Sequence, residues 1–213
     1  MPSSADPVAS AAAVARSLVE FGVSTIHEAL GRRGLMNGLH LLIGSAFAGP
    51  AVTVSIPAGD NLGIHAVFRD APAASVVCIA STGQGAFGVL GDLLQAAAHA
   101  RGLAGLVIDD GIRDVAQLVA PPSIAARGIG ARGTQKRRVL GIGVPVPLGG
   151  VLIRPGDWIV GDRDGVCVVP AGVLAELVVA AKARVDKEDG IRGELMRGRT
   201  TADVLGLTGL LDK

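Results

Sequence analysis

The chain has little to stack with: no tyrosine, one tryptophan and four phenylalanines in 213 residues. Val, Leu, Ile and Ala must therefore fill any core. It also lacks a charge excess, with Lys+Arg 20 against Asp+Glu 19 and a net charge of +1. Without a basic stripe or an aromatic platform, the composition argues against nucleic-acid binding. Cysteine is scarce: Cys78 and Cys167 lie in apolar, strand-like runs and read as buried thiols, neither a disulfide nor a zinc pair. No apolar segment is long enough to span a bilayer, and Asp6 with no basic stretch precedes the Ala-rich N-terminal region. These absences predict a cytoplasmic protein with no signal peptide and no membrane association. Without a linker or charge block, residues 1–213 read as one domain.

What is present is a 49% apolar chain punctuated by 31 glycines. Helices are expected over 7–21, where Val8, Ala12, Val14, Leu18 and Phe21 can share a face, and over 25–30, with Ser24 as cap. Strands are expected over 40–46 and 51–56, with Gly49-Pro50 as punctuation, and a helix begins at Asp60-Asn61. A buried strand, 75–80, leads to the glycine loop. A short helix over 115–119 stops at Pro121-Pro122, and a strand covers 123–126. Short strands follow over 144–148, 151–153, 158–160 and 166–169, then a long helix over 171–189 and a polar amphipathic tail over 191–207. Crossovers in the middle, a meander after them and helices at both ends predict an α/β sandwich and not a doubly wound sheet.

The chemistry concentrates between Gly83 and Asp114. Gly83, Gly85, Gly88 and Gly91 open onto an alanine-rich helix with Asp92 near its start. The buried run Leu106-Val107-Ile108 then ends in a polar turn, Asp109 to Asp114. Glycine lets backbone approach a ligand, and a helix start offers free N–H groups to an anion. Arg113 adds a guanidinium fork and Asp114 a hard oxygen ligand, a set that suits an oxyacid held on a divalent cation. Each part also has a plain structural use: a tight turn, a helix-dipole partner at Asp92, a surface ion pair at Arg113-Asp114. No Lys-Ser/Thr follows the glycines, so this is not a nucleoside-triphosphate loop, and the third glycine is displaced from the dinucleotide spacing. His27, His40, His65 and His99 show no metal spacing and read as surface or structural residues; the basic loop at Arg132, Lys136, Arg137 and Arg138 reads as solvated.

Asp92, twenty intervening residues and then Arg113-Asp114 form a D-x20-R-D pattern. With it the chain resembles the RraA-like family, which holds metal-dependent pyruvate aldolases and a protein regulator of ribonuclease E. The resemblance extends to Gly49-Pro50-Ala51-Val52-Thr53-Val54, to Asp60-Asn61 with Ile64-His65, to Gly91-Asp92-Leu93-Leu94, and to Gly149-Gly150-Val151, Arg154-Pro155-Gly156-Asp157-Trp158 and Asp164-Gly165-Val166. It departs where Asp110 replaces a frequent glycine, where Glu28-Ala29 replaces an Asp-Ala pair, and in the loop Gly85 to Leu90. The regulator branch typically lacks the aspartate after the arginine, so Asp114 favours the metal-using branch.

The resemblance implies a single domain of the swivelling-domain-like type. It implies cleavage of a 4-hydroxy-2-oxo acid, such as 4-hydroxy-4-methyl-2-oxoglutarate or 4-carboxy-4-hydroxy-2-oxoadipate, to pyruvate and a 2-oxo acid, with oxaloacetate decarboxylation as a side activity. Asp114 would hold Mg²⁺ or Mn²⁺, and Arg113 would meet the enolate oxygen. The backbone from Gly88 through Val89, Leu90, Gly91 and Asp92 to Leu93 would hold the pyruvate carboxylate. Asp92 would orient a metal-bound water that takes the C4 hydroxyl proton. Sites would lie between subunits of a homotrimer or homohexamer, with Glu188 or Glu194 reaching a neighbour's site. The alternatives are a non-catalytic binder of ribonuclease E and a methyltransferase, for which neither the early glycine turn nor a ribose-binding acid is found.

Overall fold

The computed structural model describes residues 7–83 and 85–211, with side chains from residue 11 onward. The N-terminal reading at 1–6, the Val8 side chain and Gln84 of the glycine loop lie outside the described residues. In chain order the elements are α1 (Pro7–Ala29), β1 (His40–Ile43), β2 (Phe47–Ile56), α2 (Leu62–Asp70), β3 (Val76–Ser81), β4 (Gly88–Leu90), α3 (Asp92–Ala100), β5 (Gly105–Ile112), β6 (Ser123–Ile129), β7 (Gly141–Ile142), β8 (Val146–Leu148), β9 (Val151–Ile153), β10 (Trp158–Asp162), β11 (Gly165–Val169), α4 (Leu174–Met196), α5 (Thr201–Val204) and α6 (Thr208–Leu211).

One sheet runs β1-β6-β5-β3-β2-β10-β11, with β4 added to β5 and β7 to β2; β8 and β9 form a separate pair. Its centre, β2-β3-β5-β6, is parallel, and β1, β10 and β11 join antiparallel. Parallel strands covered on both faces read as unbroken apolar runs, and β3 and β5 are buried at every position. Alternation along β3 sends Val77 and Ile79 to a core beneath α2 and α3, and Val76, Cys78 and Ala80 to a core shared with β8–β11. A third core joins α1 and α4 to β10 and β11 through Leu18, Ile26, Val160 and Leu177. Each fully buried side chain of this size contributes about 1.5–3 kcal/mol before the entropy of ordering it. The mixed α/β architecture is the expected one. Both cysteines are buried free thiols; burial pushes Cys78 up and Cys167 up to about 12.

Several boundaries differ from expectation, each for a tertiary reason. Gly49-Pro50 lies inside β2, because the strand changes partner there: Phe47–Pro50 pair with β10 and Ala51–Ile56 with β3. A Cβ on Gly49 would come within 2.5 Å of the Ala74 carbonyl oxygen, so glycine serves close packing and not a turn. The first two helices form one element broken at Gly22 (φ 76°, ψ 161°). The second part is capped by Asp162, which accepts from the Val23 N–H at 2.7 Å, and not by Ser24, which bonds Asp164. The segment after Asp114 is a three-residue 3-10 turn, β6 runs on to Ile129, and α4 runs on to Met196, absorbing the start of the expected tail. The expected polar turn from Asp109 begins only at Arg113, because β5 continues through Asp109 and Asp110.

Candidate functional site

The glycine loop returns to the sheet as β4, which pairs in parallel with the end of β5 through Gly88–Gly111 and Leu90–Ile112. The Arg113 N–H donates to the Leu90 carbonyl at 2.9 Å, so the chain leaves β5 beside the start of α3. Asp114 then takes a left-handed conformation (φ 55°), which aspartate tolerates better than most residues. Its carboxylate lies 3.4 Å from the Arg113 Nε, with the two side chains 43% and 40% exposed. Gly91 is the N-cap of α3. A Cβ there would meet Asp114 Oδ2 at 2.2 Å, and one on Gly88 would meet the Gly130 carbonyl oxygen at 2.2 Å. At Gly88 the obstacle is backbone, so no side chain fits; at Gly91 it is the tip of the half-exposed Asp114 side chain, which sits in the room the glycine leaves.

A pocket of about 100 Å³ is lined by Asn61, His65, Gly88, Val89, Gly91, Asp92, Leu93, Leu94, Arg113 and Lys136. The expected residues Gly88, Val89, Gly91, Asp92, Leu93 and Arg113 thus meet in one place. Leu90 is buried beneath, joined to the site through its carbonyl. Asp114 opens on the other side of Arg113, into a second hollow with Val115, Ile129, Gly130 and Ala131. Glu188 and Glu194 do not line either hollow. They lie on α4, paired with Arg184 and with Arg197 and Arg199 respectively.

Three lining residues were given no site role at the sequence level, although Asn61 and His65 were part of the resemblance. Asn61 stands at the N-cap position of α2 without a side-chain cap bond; its amide donates to the Val89 carbonyl at 3.0 Å and its Oδ1 is unpartnered. His65, one turn on, lines the same pocket, and partial desolvation together with the Lys136 charge lowers its pKa. Lys136 comes from the basic loop, whose charged side chains are exposed as expected but whose backbone is held. Asp60 accepts the N–H groups of Arg137 (2.7 Å) and Arg138 (3.0 Å), and Gln135 exchanges backbone bonds with Gly59 and Asn61. Burial raises the Asp60 pKa, but those N–H groups and that of Leu62 outweigh it and hold the carboxyl below its ordinary value. The Arg132 guanidinium sits 4.6 Å from the centre of the Phe87 ring, and its carbonyl accepts from the Gly88 N–H, tying the two loops together. The available signal was the i, i+4 spacing of Asn61 and His65, which places both on one helix face.

Asp114 meets no hydrogen-bond donor other than Arg113 among the described residues. No three His, Cys, Asp or Glu side chains cluster as a closed metal cage among them. One carboxylate with free lone pairs fits a hard cation that completes its shell with water and substrate oxygens, as Mg²⁺ does, better than a structural zinc.

The sequence profile of the RraA-like family, described as Aldolase/RraA, matches residues 23–168. The chain belongs to this family. A Halalkalibacterium halodurans relative named "Putative 4-hydroxy-4-methyl-2-oxoglutarate aldolase" is 35% identical over 167 residues, 78% of this chain and 77% of the relative. An uncharacterized Pseudomonas syringae protein superposes with a TM-score of 0.82 at 26% identity, covering 96% of this chain and 97% of that one. A Streptomyces coelicolor protein, described as an unusual member of the RNase ES inhibitor RraA protein family, superposes at 0.75 with 28% identity, over 90% of this chain and 99% of that one. The RraA-like resemblance read from the D-x20-R-D pattern is therefore correct. Among the described residues no helix is long and apolar enough to cross a membrane.

Proposed function

We propose that this RraA-like chain is a divalent-metal-dependent pyruvate aldolase. It cleaves a 4-hydroxy-2-oxo acid such as 4-hydroxy-4-methyl-2-oxoglutarate or 4-carboxy-4-hydroxy-2-oxoadipate to pyruvate and a 2-oxo acid, and it decarboxylates oxaloacetate as a side activity. The observation that carries the reading is the close approach of the Arg113 and Asp114 side chains to Gly91 at the start of α3, in room that the missing Cβ leaves.

Asp114 would hold Mg²⁺ or Mn²⁺, which when bound supplies Lewis-acid polarisation of the 2-oxo group. The Gly88 N–H is already taken by the Arg132 carbonyl and β4 is paired with β5, so it is the N–H groups at the start of α3, up to Leu93, that would hold the pyruvate carboxylate. Breaking the C3–C4 bond leaves its electron pair as the enolate of pyruvate, and the Arg113 fork neutralises the oxygen that gains charge. Asp92, exposed in the first turn of α3 and free of other hydrogen bonds among the described residues, orients the water that takes the C4 hydroxyl proton. His65 and Lys136, which line the same pocket, would meet the remainder of the substrate. Active sites lie between subunits of a trimer or hexamer, where Glu188 or Glu194 of a neighbouring copy contributes a carboxylate.

The likeness to the Streptomyces protein supports a second reading, a non-catalytic binder of ribonuclease E. Asp114 weighs against it. Pyruvate release from oxaloacetate and from the two hydroxy acids, with Mg²⁺ and with EDTA, separates the readings. Metal-dependent release supports the aldolase; none from any substrate, with ribonuclease E inhibited, supports the regulator.

A further inference from the structure

Asp110 is fully buried, and the aldolase reading gives it no role. It sits where β5 changes partner. One edge of β5 is held by β3 as far as Ile79–Ile108 and by β4 from Gly88–Gly111 onward. Between them the chain leaves the edge at Ser81 and returns at Phe87. Asp110 holds both ends of this excursion: Oδ2 accepts the Ser81 hydroxyl at 2.6 Å, and Oδ1 accepts the Phe87 N–H at 2.9 Å and that of Gly111 at 3.0 Å. Ser81 in turn accepts the Gly83 N–H at 2.9 Å. The carboxylate fills the space that a Gly83 side chain would need, since a Cβ there would lie 2.4 Å from Oδ2. Beyond the clamp, Gly111 N–H donates to Phe87 O and Arg113 N–H to Leu90 O, both at 2.9 Å. A short β4–β5 ladder thus has Asp110 at one end and Arg113 at the other.

We propose that Asp110 is a positioning residue: it locks the register of β4 on β5 and so sets the Gly88–Leu93 cradle against Arg113 and Asp114. The function assigned to this lock rests on the aldolase reading. A three-residue strand has too few ladder bonds to choose its own register, and a one-residue slip would turn every side chain over.

The test compares Asp110→Ala, Gly83→Ala and the double variant with the parent by amide hydrogen exchange, thermal melting, Mg²⁺-dependent pyruvate binding and steady-state kinetics. In Asp110→Ala, amides of Phe87 to Leu90 should exchange about ten-fold faster, the scale for a lost buried hydrogen bond, with β3 and β6 unchanged. Pyruvate affinity should fall by about the same factor, and KM should rise more than kcat falls. Asp110→Asn, which keeps the Oδ1 acceptor, should recover most of the pyruvate affinity. Gly83→Ala should reproduce the Asp110→Ala behaviour, while the double variant should melt well above the sum of the two losses, because the nearest atom to the new methyl is gone and only Ser81 Oγ at 3.1 Å and Phe87 Cδ2 at 3.2 Å still crowd it. Parental exchange at Phe87 to Leu90, a uniform rise across the sheet, or strictly additive losses in the double variant would overturn the proposal. A parent chain that binds no pyruvate would overturn the aldolase reading instead, and the exchange and double-variant results would still decide the register lock.

Discussion

Two charge pairs lie on the same short stretch of chain and do opposite things. Asp109, inside β5, pairs with Arg127 at 2.6 Å, with side chains 11% and 29% exposed. Arg113 and Asp114, just past the end of the strand, stand 3.4 Å apart and are 43% and 40% exposed. In the first pair Asp109 is enclosed with the opposing charge of Arg127, although its Oδ1 and the Arg127 Nε make no aligned hydrogen bond; at neighbouring Asp110 the carboxylate oxygens are taken up by hydrogen-bond donors. In the second, the Asp114 lone pairs are left for something else. Burial alone would have ranked the inner carboxylates as the more unusual and directed attention to the wrong residues. The distinction lies in whether the carboxylate is enclosed with an opposing charge or donor inside the protein or left open to solvent beside one.

The contrast is broken most severely at the outer pair. Asp114→Ala should abolish both aldol cleavage and oxaloacetate decarboxylation while the chain stays folded, as read by circular dichroism. Arg113→Lys should lower kcat by about one hundred-fold or more, the scale for removing a donor to a developing oxyanion, because an ammonium cannot replace the planar fork. Turnover within about three-fold of the parent would remove Arg113 from the enolate. Asp92→Ala should reduce aldol cleavage by about a hundred-fold, the lower end for loss of general-base assistance, and decarboxylation far less, since loss of CO₂ needs no C4 hydroxyl deprotonation. Equal losses in both reactions, with weaker metal binding, would move Asp92 into the metal's surroundings.

At the inner pair the effect should fall on stability. Arg127→Met leaves Asp109 unpaired and should cost about 3 kcal/mol at pH 7, the low end for a broken buried pair because Arg127 keeps some solvent contact. Burial holds the Asp109 carboxyl above its ordinary 3.8, with the Arg127 charge opposing. The folded chain thus binds that proton more tightly than the unfolded chain. The associated stabilisation is complete below 3.8 and is lost as the pH rises through the folded value. The Arg127→Met deficit should therefore shrink as the pH falls toward 4, which denaturant melts at pH 4 and 7 would show. Asp60 has the opposite sign: its folded value lies below 3.8, so its contribution is present above that value and lost as the pH falls through the folded one. Asp60→Asn should therefore destabilise the chain more at pH 7 than near pH 3.

The parallel centre of the sheet and the glycine-to-arginine stretch were legible because they are local: unbroken apolar runs, then glycines at a strand-to-helix turn. The pocket's other wall was not. His65 is one of four scattered histidines, and Lys136 one of several cations in a loop. Only the Asp60 carboxylate and the Asn61 and Gln135 backbone bonds, distant in sequence, bring them to Arg113. Asp109 and Asp110 looked like a polar turn because two adjacent carboxylates rarely stay in a buried strand. Ser81, Phe87 and Arg127 compensate them, and none of the three is a sequence neighbour.

The central claim is that Asp114 makes this chain a metal-dependent aldolase. The most direct measurement is the Mg²⁺ dependence of pyruvate release from 4-hydroxy-4-methyl-2-oxoglutarate, or from whichever acid of the panel is cleaved fastest, by the parent and by Asp114→Asn. Asparagine tolerates the left-handed backbone at this position and removes only the charge. The account predicts parent activity that is lost in EDTA and restored by Mg²⁺, and a variant whose Mg²⁺ curve is shifted upward by about ten-fold or more. Superimposable Mg²⁺ curves for the two proteins, or full parent activity in EDTA, would contradict it.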